Sequence, residues 1–152
     1  MKKKTICFFV ALMLAGINCL SAQMTKSQLQ EMYVSFLRSE GYNPSVDSDG
    51  DVNFTAQGHR FYIDVMAEDL HSFRIVLSSF LDIGSDRLRA LEAAVLEINT
   101  TKATRFVIAS NNRIAIDSFI FLGHPEDFRL HLNRMVSNIL IARRDFLARM
   151  GG

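Results

Sequence analysis

Apolar and polar positions along the chain change period several times, and each change marks an element. Leu29, Met32, Tyr33, Phe36 and Leu37 recur at i, i+3, i+4, i+7 and i+8, the stripe of an amphipathic helix that must lie on something. Thr25 and Gln28 are spaced as a capping box at its start, and Gly41 is placed to stop it in a left-handed turn. A polar linker follows, from Tyr42, Asn43 and Pro44 through Asp47, Ser48, Asp49, Gly50 and Asp51. Then the period becomes two. Val52, Phe54 and Ala56 alternate with Asn53 and Thr55, Gln57-Gly58 makes a turn, and Phe61, Ile63 and Val65 alternate with Arg60, Tyr62 and Asp64. This pattern predicts a hairpin with one buried face. Beyond Glu68 and Asp69, Phe73, Ile75 and Leu77 supply a third strand with Arg74 and Ser78 pointing the other way, completing an antiparallel meander.

The second half repeats the alternation of periods. Ser85 caps a predicted helix that carries Leu88, Leu91, Val95 and Ile98 on one stripe. Residues 105–110 and 113–121 read as two strands joined by Asn111-Asn112, a pair that tolerates the positive φ angles of a tight turn. The last helix starts at Pro125, with His124 in the cap position and Glu126 and Asp127 in its first turn. It turns Phe128, Leu132, Met135, Ile139, Ala142 and Phe146 inward and ends among Arg143, Arg144 and Arg149, so charge complements the macrodipole at both ends. The predicted order is α-β-β-β-α-β-β-α: a single α+β domain, its antiparallel sheet packed by helices.

The N-terminus follows a different logic. Lys2, Lys3 and Lys4 lead into an apolar run from Ile6 to Leu14 and then to Ser21, Ala22 and Gln23, the layout of a secretory signal peptide. The run is too short to span a bilayer. Residues 1–22 are therefore read as a signal peptide and residues 23–152 as the folded domain, with cleavage after Ala22 or after Ser21. Removing the signal takes three of the 17 basic residues and none of the 16 acids, leaving 14 against 16 and a net charge of −2. That balance gives no large basic field for nucleic acid or anionic lipid. Cys7 and Cys19 leave as well, so the exported domain has neither disulfide nor thiol chemistry. No stable membrane insertion is expected after cleavage.

Candidate chemistry is sparse. Asp47, Asp49 and Asp51 invite a calcium loop, but with Ser45 at its first position the twelfth falls on Ala56, where a bidentate Glu is required; the run is read as a solvated turn. His59, His71, His124 and His131 fall in no metal-ligand spacing. Ser110, Ser118, Asp64, Asp82 and Asp117 sit in no nucleophile elbow, phosphate loop or H-E-x-x-H motif. No catalytic residue, metal or cofactor is assigned. The apolar residues on the far side of the sheet carry more information. With Ile114, Ile116 and Ile120 facing the helices, period two sends Ala115, Asp117, Phe119 and Phe121 to the opposite face, together with Tyr62 and Val76. Either the second helix or a loop covers them, or the strand bulges and reverses its facing, or Tyr62, Val76, Phe119 and Phe121 form a partner-binding surface.

Three local passages carry a family resemblance: the acidic turn D-S-D-G-D-V from Asp47 to Val52, the passage from Leu91 through Glu97, Ile98 and Asn99 to Phe106 and Val107, and the late hairpin followed by the long closing helix with Phe128 and Met135. In these and in element order the chain resembles the YbjN-like family, whose members share a fold with type III secretion chaperones. The resemblance implies that fold, which alone does not fix a function; the signal peptide departs from the many proteins of that fold that work in the cytoplasm, and argues against a cytoplasmic regulatory or effector-chaperone role. The expectation is an exported, non-enzymatic binding protein, periplasmic or extracellular in a bacterium, holding a protein partner or its own twin on an apolar sheet face. The alternatives are a small-ligand binder with a pocket between the first helix and the sheet, and a hydrolase with a spatially assembled site.

Overall fold

The computed structural model describes residues 24–82, 95, 104–108 and 113–150. The expected signal peptide, nearly all of the expected second helix and the Asn111-Asn112 turn lie outside the described residues. Helix α1 spans Lys26–Ser39. Thr25 Oγ1 accepts the Gln28 N–H at 3.2 Å and the Gln28 side chain accepts the Thr25 N–H at 2.8 Å, the reciprocal box that satisfies two orphan donors. At the other end Gly41 takes φ +84° and the Tyr42 N–H closes onto the Leu37 carbonyl. Leu29, Tyr33 and Leu37 of the expected stripe are buried and Val34 joins them, whereas Met32 and Phe36 pack partly buried against the core.

Among the described residues six strands follow: β1 (Ser45–Val46), β2 (Val52–Ala56), β3 (His59–Asp64), β4 (Ser72–Asp82), β5 (Arg105–Ile108) and β6 (Arg113–Phe121). They form one sheet in the order β1-β2-β3-β4-β6-β5, with every neighbouring pair antiparallel. Strand β1 corrects the reading of its residues as linker. Two residues cannot display a period of two, yet Val46 pairs with Val52 and the Asp47 N–H reaches the Asp51 carbonyl at 3.0 Å. The β2–β3 hairpin turns on Gln57 and Gly58 at φ +50° and +78°, the two positive values that match a tight turn to the strands' twist. Strand β6 lies between β4 and β5, and its ladder with β4 runs from Ser72↔Phe121 to Asp82↔Arg113 with a register shift between Leu77 and Leu81.

One face of this sheet carries the core. Val52, Phe54, Phe61, Ile63, Phe73, Ile75, Leu77, Phe106, Ile114 and Ile116 are buried there against α1 and the closing helix. Val95 is helical and belongs to the same cluster. A 3-10 turn at Pro125–Asp127 leads into α2 (Phe128–Arg149). His124 holds the cap position, and the Asp127 carboxylate reaches back to accept its N–H at 2.8 Å. Phe128, Leu132, Met135, Ile139, Ala142 and Phe146 are buried as the stripe requires, and Val136 with them. The two helices meet in an aromatic seam. Tyr33 stands edge-on to Phe128 at 4.8 Å between ring centroids, Phe36 edge-on to it at 5.1 Å, and Phe73 of β4 lies 5.4 Å beneath. Such contacts add about 0.5–1.5 kcal/mol beyond the area they bury. With the helices on one side, the side chains at alternate strand positions point away from the core.

Candidate functional site

Register builds the outward face directly. Asn53, Tyr62, Val76, Asp117 and Arg105 lie side by side across β2, β3, β4, β6 and β5. One step along, Asp64, Arg74 and Phe119 form the next row, and Phe121 follows opposite Ser72. The four apolar or aromatic residues expected to share this face do share it, at different depths. Phe119 is 42% and Phe121 78% exposed, and their rings meet edge-to-face at 5.0 Å. Tyr62 is half-buried, and that burial pushes its phenol above the ordinary range against the pull of Arg74. Val76 is 2% exposed and lies outside the helix-side cluster. It is a floor for the face, while the two phenylalanines stand proud of it.

Beside the rings lies a charge network that the sequence did not disclose. Asp117 is buried on this face and accepts from two guanidiniums: Arg74 through Nε at 2.9 Å and Nη2 at 2.7 Å, and Arg105 through Nε at 3.1 Å and Nη2 at 2.6 Å. Arg74 also donates from Nη1 to Asp64 at 3.2 Å. Burial disfavours the Arg74 charge, but the hydrogen bonds and charge of Asp117, with Asp64 behind them, outweigh it and raise the guanidinium's pKa above its ordinary value. The network ties β3, β4, β6 and β5 together beneath the solvent. Period two alone places Asp64, Arg74 and Asp117 on the face of Tyr62, Val76 and Phe119. What brings Arg105 alongside is the strand order, with β6 inserted between β4 and β5.

The other candidates resolve into turn and surface chemistry. Asp47 Oδ1 accepts the backbone N–H groups of Asp49, Gly50 and Asp51 at 2.9–3.0 Å, and Oδ2 accepts the Asn53 amide at 2.8 Å. Asp51 accepts the Val65 N–H at 3.1 Å. The acidic run therefore spends its oxygens on folding the turn, and Lys26 and Gln30 of α1 clasp the Asp49 and Gly50 carbonyls from above. Among the described residues no three His, Cys, Asp or Glu side chains are grouped to hold a metal ion. A cleft of about 210 Å³ lies between α1 and β1, lined by Gln30, Glu31, Val34, Arg38 and Val46 among others. It is smaller and more polar than an ordinary small-molecule pocket. Among the described residues no helix is long and apolar enough to cross a membrane.

The chain is similar in fold to the crystal structure of an uncharacterized protein from Methanothermobacter thermautotrophicus, with 14% sequence identity and a TM-score of 0.53 over 81% of this chain and 96% of that one. No curated protein matches the sequence significantly. The YbjN family, described as "Putative bacterial sensory transduction regulator", matches residues 22–124. That stretch runs from ahead of α1 through the whole sheet to the start of the closing turn, well over half of the sequence, and the chain belongs to the YbjN family.

Proposed function

We propose that this protein is an exported, non-enzymatic regulator that holds a protein partner on the outward face of its sheet. The observation that carries the reading is the pair Phe119 and Phe121, two rings exposed side by side on a face with no helix of the described core against it. Exposed aromatic area of this kind is costly to leave in water and characteristic of binding surfaces. The family description, a regulator of sensory transduction, accords with a binding role. So does the state of Asp117: the one buried carboxylate among the described residues has both oxygens engaged by guanidiniums, charge-assisted pairs that serve to join strands. Export rests on the lysine-led N-terminal segment and the small residues Ser21 and Ala22.

Two measurements test this. Protein recovered from the cell envelope should have an intact mass that begins at Gln23 or within a residue or two of it; a mass retaining residues 1–22 refutes export. Tagged protein used as bait in the same fraction should retain a partner that the double variant Phe119→Ser/Phe121→Ser loses, with circular dichroism unchanged. A folded variant that keeps the same partner moves the binding surface elsewhere.

A further inference from the structure

Strand β5 is shorter than the strand it pairs with. Its ladder with β6 runs from Ile108↔Ile114 to Arg105↔Asp117 and ends there, the chain bending at Thr104, whereas β4 accompanies the other side of β6 as far as Phe121. Among the described residues, positions 118–121 therefore have a neighbouring strand on one side alone, and the other side is an open edge about 13 Å long in line with β5. The parity of the ladder decides which backbone groups this edge presents. The Leu122 N–H reaches the His71 carbonyl at 2.6 Å, so Leu122 and Ile120 turn their backbone groups to β4, and Phe119 and Phe121 turn theirs the other way. The two residues whose rings are exposed thus also aim their N–H and C=O groups at the place where the next strand would lie, and these groups meet no partner among the described residues. Charge offers no comparable opening, since Arg74 and Arg105 close on Asp117 beside it.

We infer that an extended segment of the protein partner enters here as an added strand, in line with β5 and antiparallel to β6, with apolar side chains at alternate positions. The inference rests on the outward face being the binding surface and deepens it by naming how the partner is held. Backbone groups left open on a strand edge are complemented by another extended backbone. Partner residues opposite Phe119 and Phe121 exchange both main-chain hydrogen bonds with them, and the same pleat sets their side chains on the outward face, against the two rings. A second copy of this chain does not fit the edge. With Phe119 opposite Phe121 of the copy, Asp117 of the copy stands opposite Gly123. Arg105 of the copy, one strand spacing further in, then falls on the line that this chain itself occupies through Leu122 and Gly123. A segment with no strand of its own alongside meets no such obstacle.

Amide hydrogen exchange followed by NMR tests the assignment first on the purified protein alone, where the Phe119 and Phe121 N–H groups should exchange about 100-fold faster than those of Ile120 and Leu122. The synthetic peptide Lys-Thr-Val-Thr-Val-Thr-Lys is then the probe. It should bind at millimolar concentration or below and protect those two amides. Methyl groups on its valine nitrogens, which face β6 in the added strand, should weaken binding about five-fold each, the net worth of one hydrogen bond, and methyl groups on its threonine nitrogens should not. Phe119→Ala with Phe121→Ala should weaken the unmethylated peptide. Slow exchange of both amides in the dilute protein, protection that grows with protein concentration, no peptide binding at millimolar concentration, or equal weakening by the two methylation patterns overturns the inference while leaving the face as the binding surface. Peptide binding untouched by loss of the rings overturns the inference and the underlying reading together.

Discussion

Arg105 grips Asp117 side-on, Nε on Oδ1 at 3.1 Å and Nη2 on Oδ2 at 2.6 Å, from an edge strand onto a carboxylate buried in the strand beside it. A charge so placed holds only while it is paired, because removing one partner strands the other out of water. Arg74 shares the same carboxylate from the opposite strand but is 27% exposed where Arg105 is 62%. The two arginines should therefore differ when removed. Arg74→Met should cost about 3 kcal/mol, since it leaves Asp117 with one partner and deprives Asp64 of its own. Arg105→Met, at an exposed edge where water can replace the guanidinium, should cost about 1 kcal/mol. Urea unfolding of the two variants would show this order, and equal losses would mean that the network is not governed by depth.

The acidic turn holds two carboxylates with opposite pH signatures. The Asn53 amide first, and then the backbone N–H groups of Asp51, Asp49 and Gly50, hold the Asp47 carboxyl below the ordinary carboxylate range. A group whose folded pKa is depressed lends stability above its unfolded pKa and loses it as pH falls through the folded value. Burial raises Asp51, with the Val65 N–H opposing and Asp64 adding to the rise, so its ionisation weighs against the fold, and that weight lifts on acidification. Asp47→Asn should lower the melting temperature at neutral pH, by an amount that begins to shrink only below about pH 4 and is gone once pH has fallen through the depressed folded value. Asp51→Asn keeps an oxygen for the Val65 N–H and should raise the melting temperature at neutral pH, again converging in acid. Parallel pH–melting curves for these two variants would contradict the assignment.

The sequence disclosed those parts of the fold whose signal is local. Thr25 with Gln28, Gly41, and the alternation from Val52 to Leu77 each need only near neighbours to be read, and each is found where that reading places it. Strand β1 escaped because Ser45 and Val46 are defined by their partner strand and not by a pattern of their own. The outward facing of Tyr62, Val76, Phe119 and Phe121 was legible from period two, but their depth was not. Val76 is buried on a face whose low and tall side chains are fixed by the strand order, and Arg105 reaches Asp117 only because β6 separates β5 from β4. Long-range pairing of this kind leaves no trace in a single strand's alternation.

Depth also ranks the residues of α1. Leu37 is fully buried in the core, whereas Phe36 lies at the rim, edge-on to Phe128 with the Arg129 guanidinium 5.9 Å from its ring. Periodicity alone gives the two equal standing. Leu37→Ala should cost about 3–4 kcal/mol through lost transfer energy and the cavity left behind. Phe36→Ala should cost about 2 kcal/mol, because part of the ring already meets water and the gap can hydrate. Denaturation midpoints of the two variants check the order. A larger loss at Phe36 would show that the aromatic seam outweighs the aliphatic core in joining α1 to the fold.

At the turn between β2 and β3 the chain departs from the best local chemistry, because among the described residues Gln57 is the one non-glycine with a positive φ. Both turn residues have positive φ, +50° at Gln57 and +78° at Gly58, and only the second is a glycine. A Gln held in the left-handed region crowds its Cβ against the following carbonyl, at a cost of about 1–2 kcal/mol. Asn tolerates that region better, since its short side chain can hydrogen-bond locally, and Asn-Gly is the preferred pair for this turn. Gln57→Asn should therefore stabilise the protein by about 0.5–1 kcal/mol. Gly58→Ala meets no atom within 4 Å, so its expected loss of about 1 kcal/mol would come from the backbone conformation alone. Chemical denaturation of the pair reads the turn's conformation without touching the core or the outward face. A neutral Gly58→Ala would show that this turn adopts another geometry in solution.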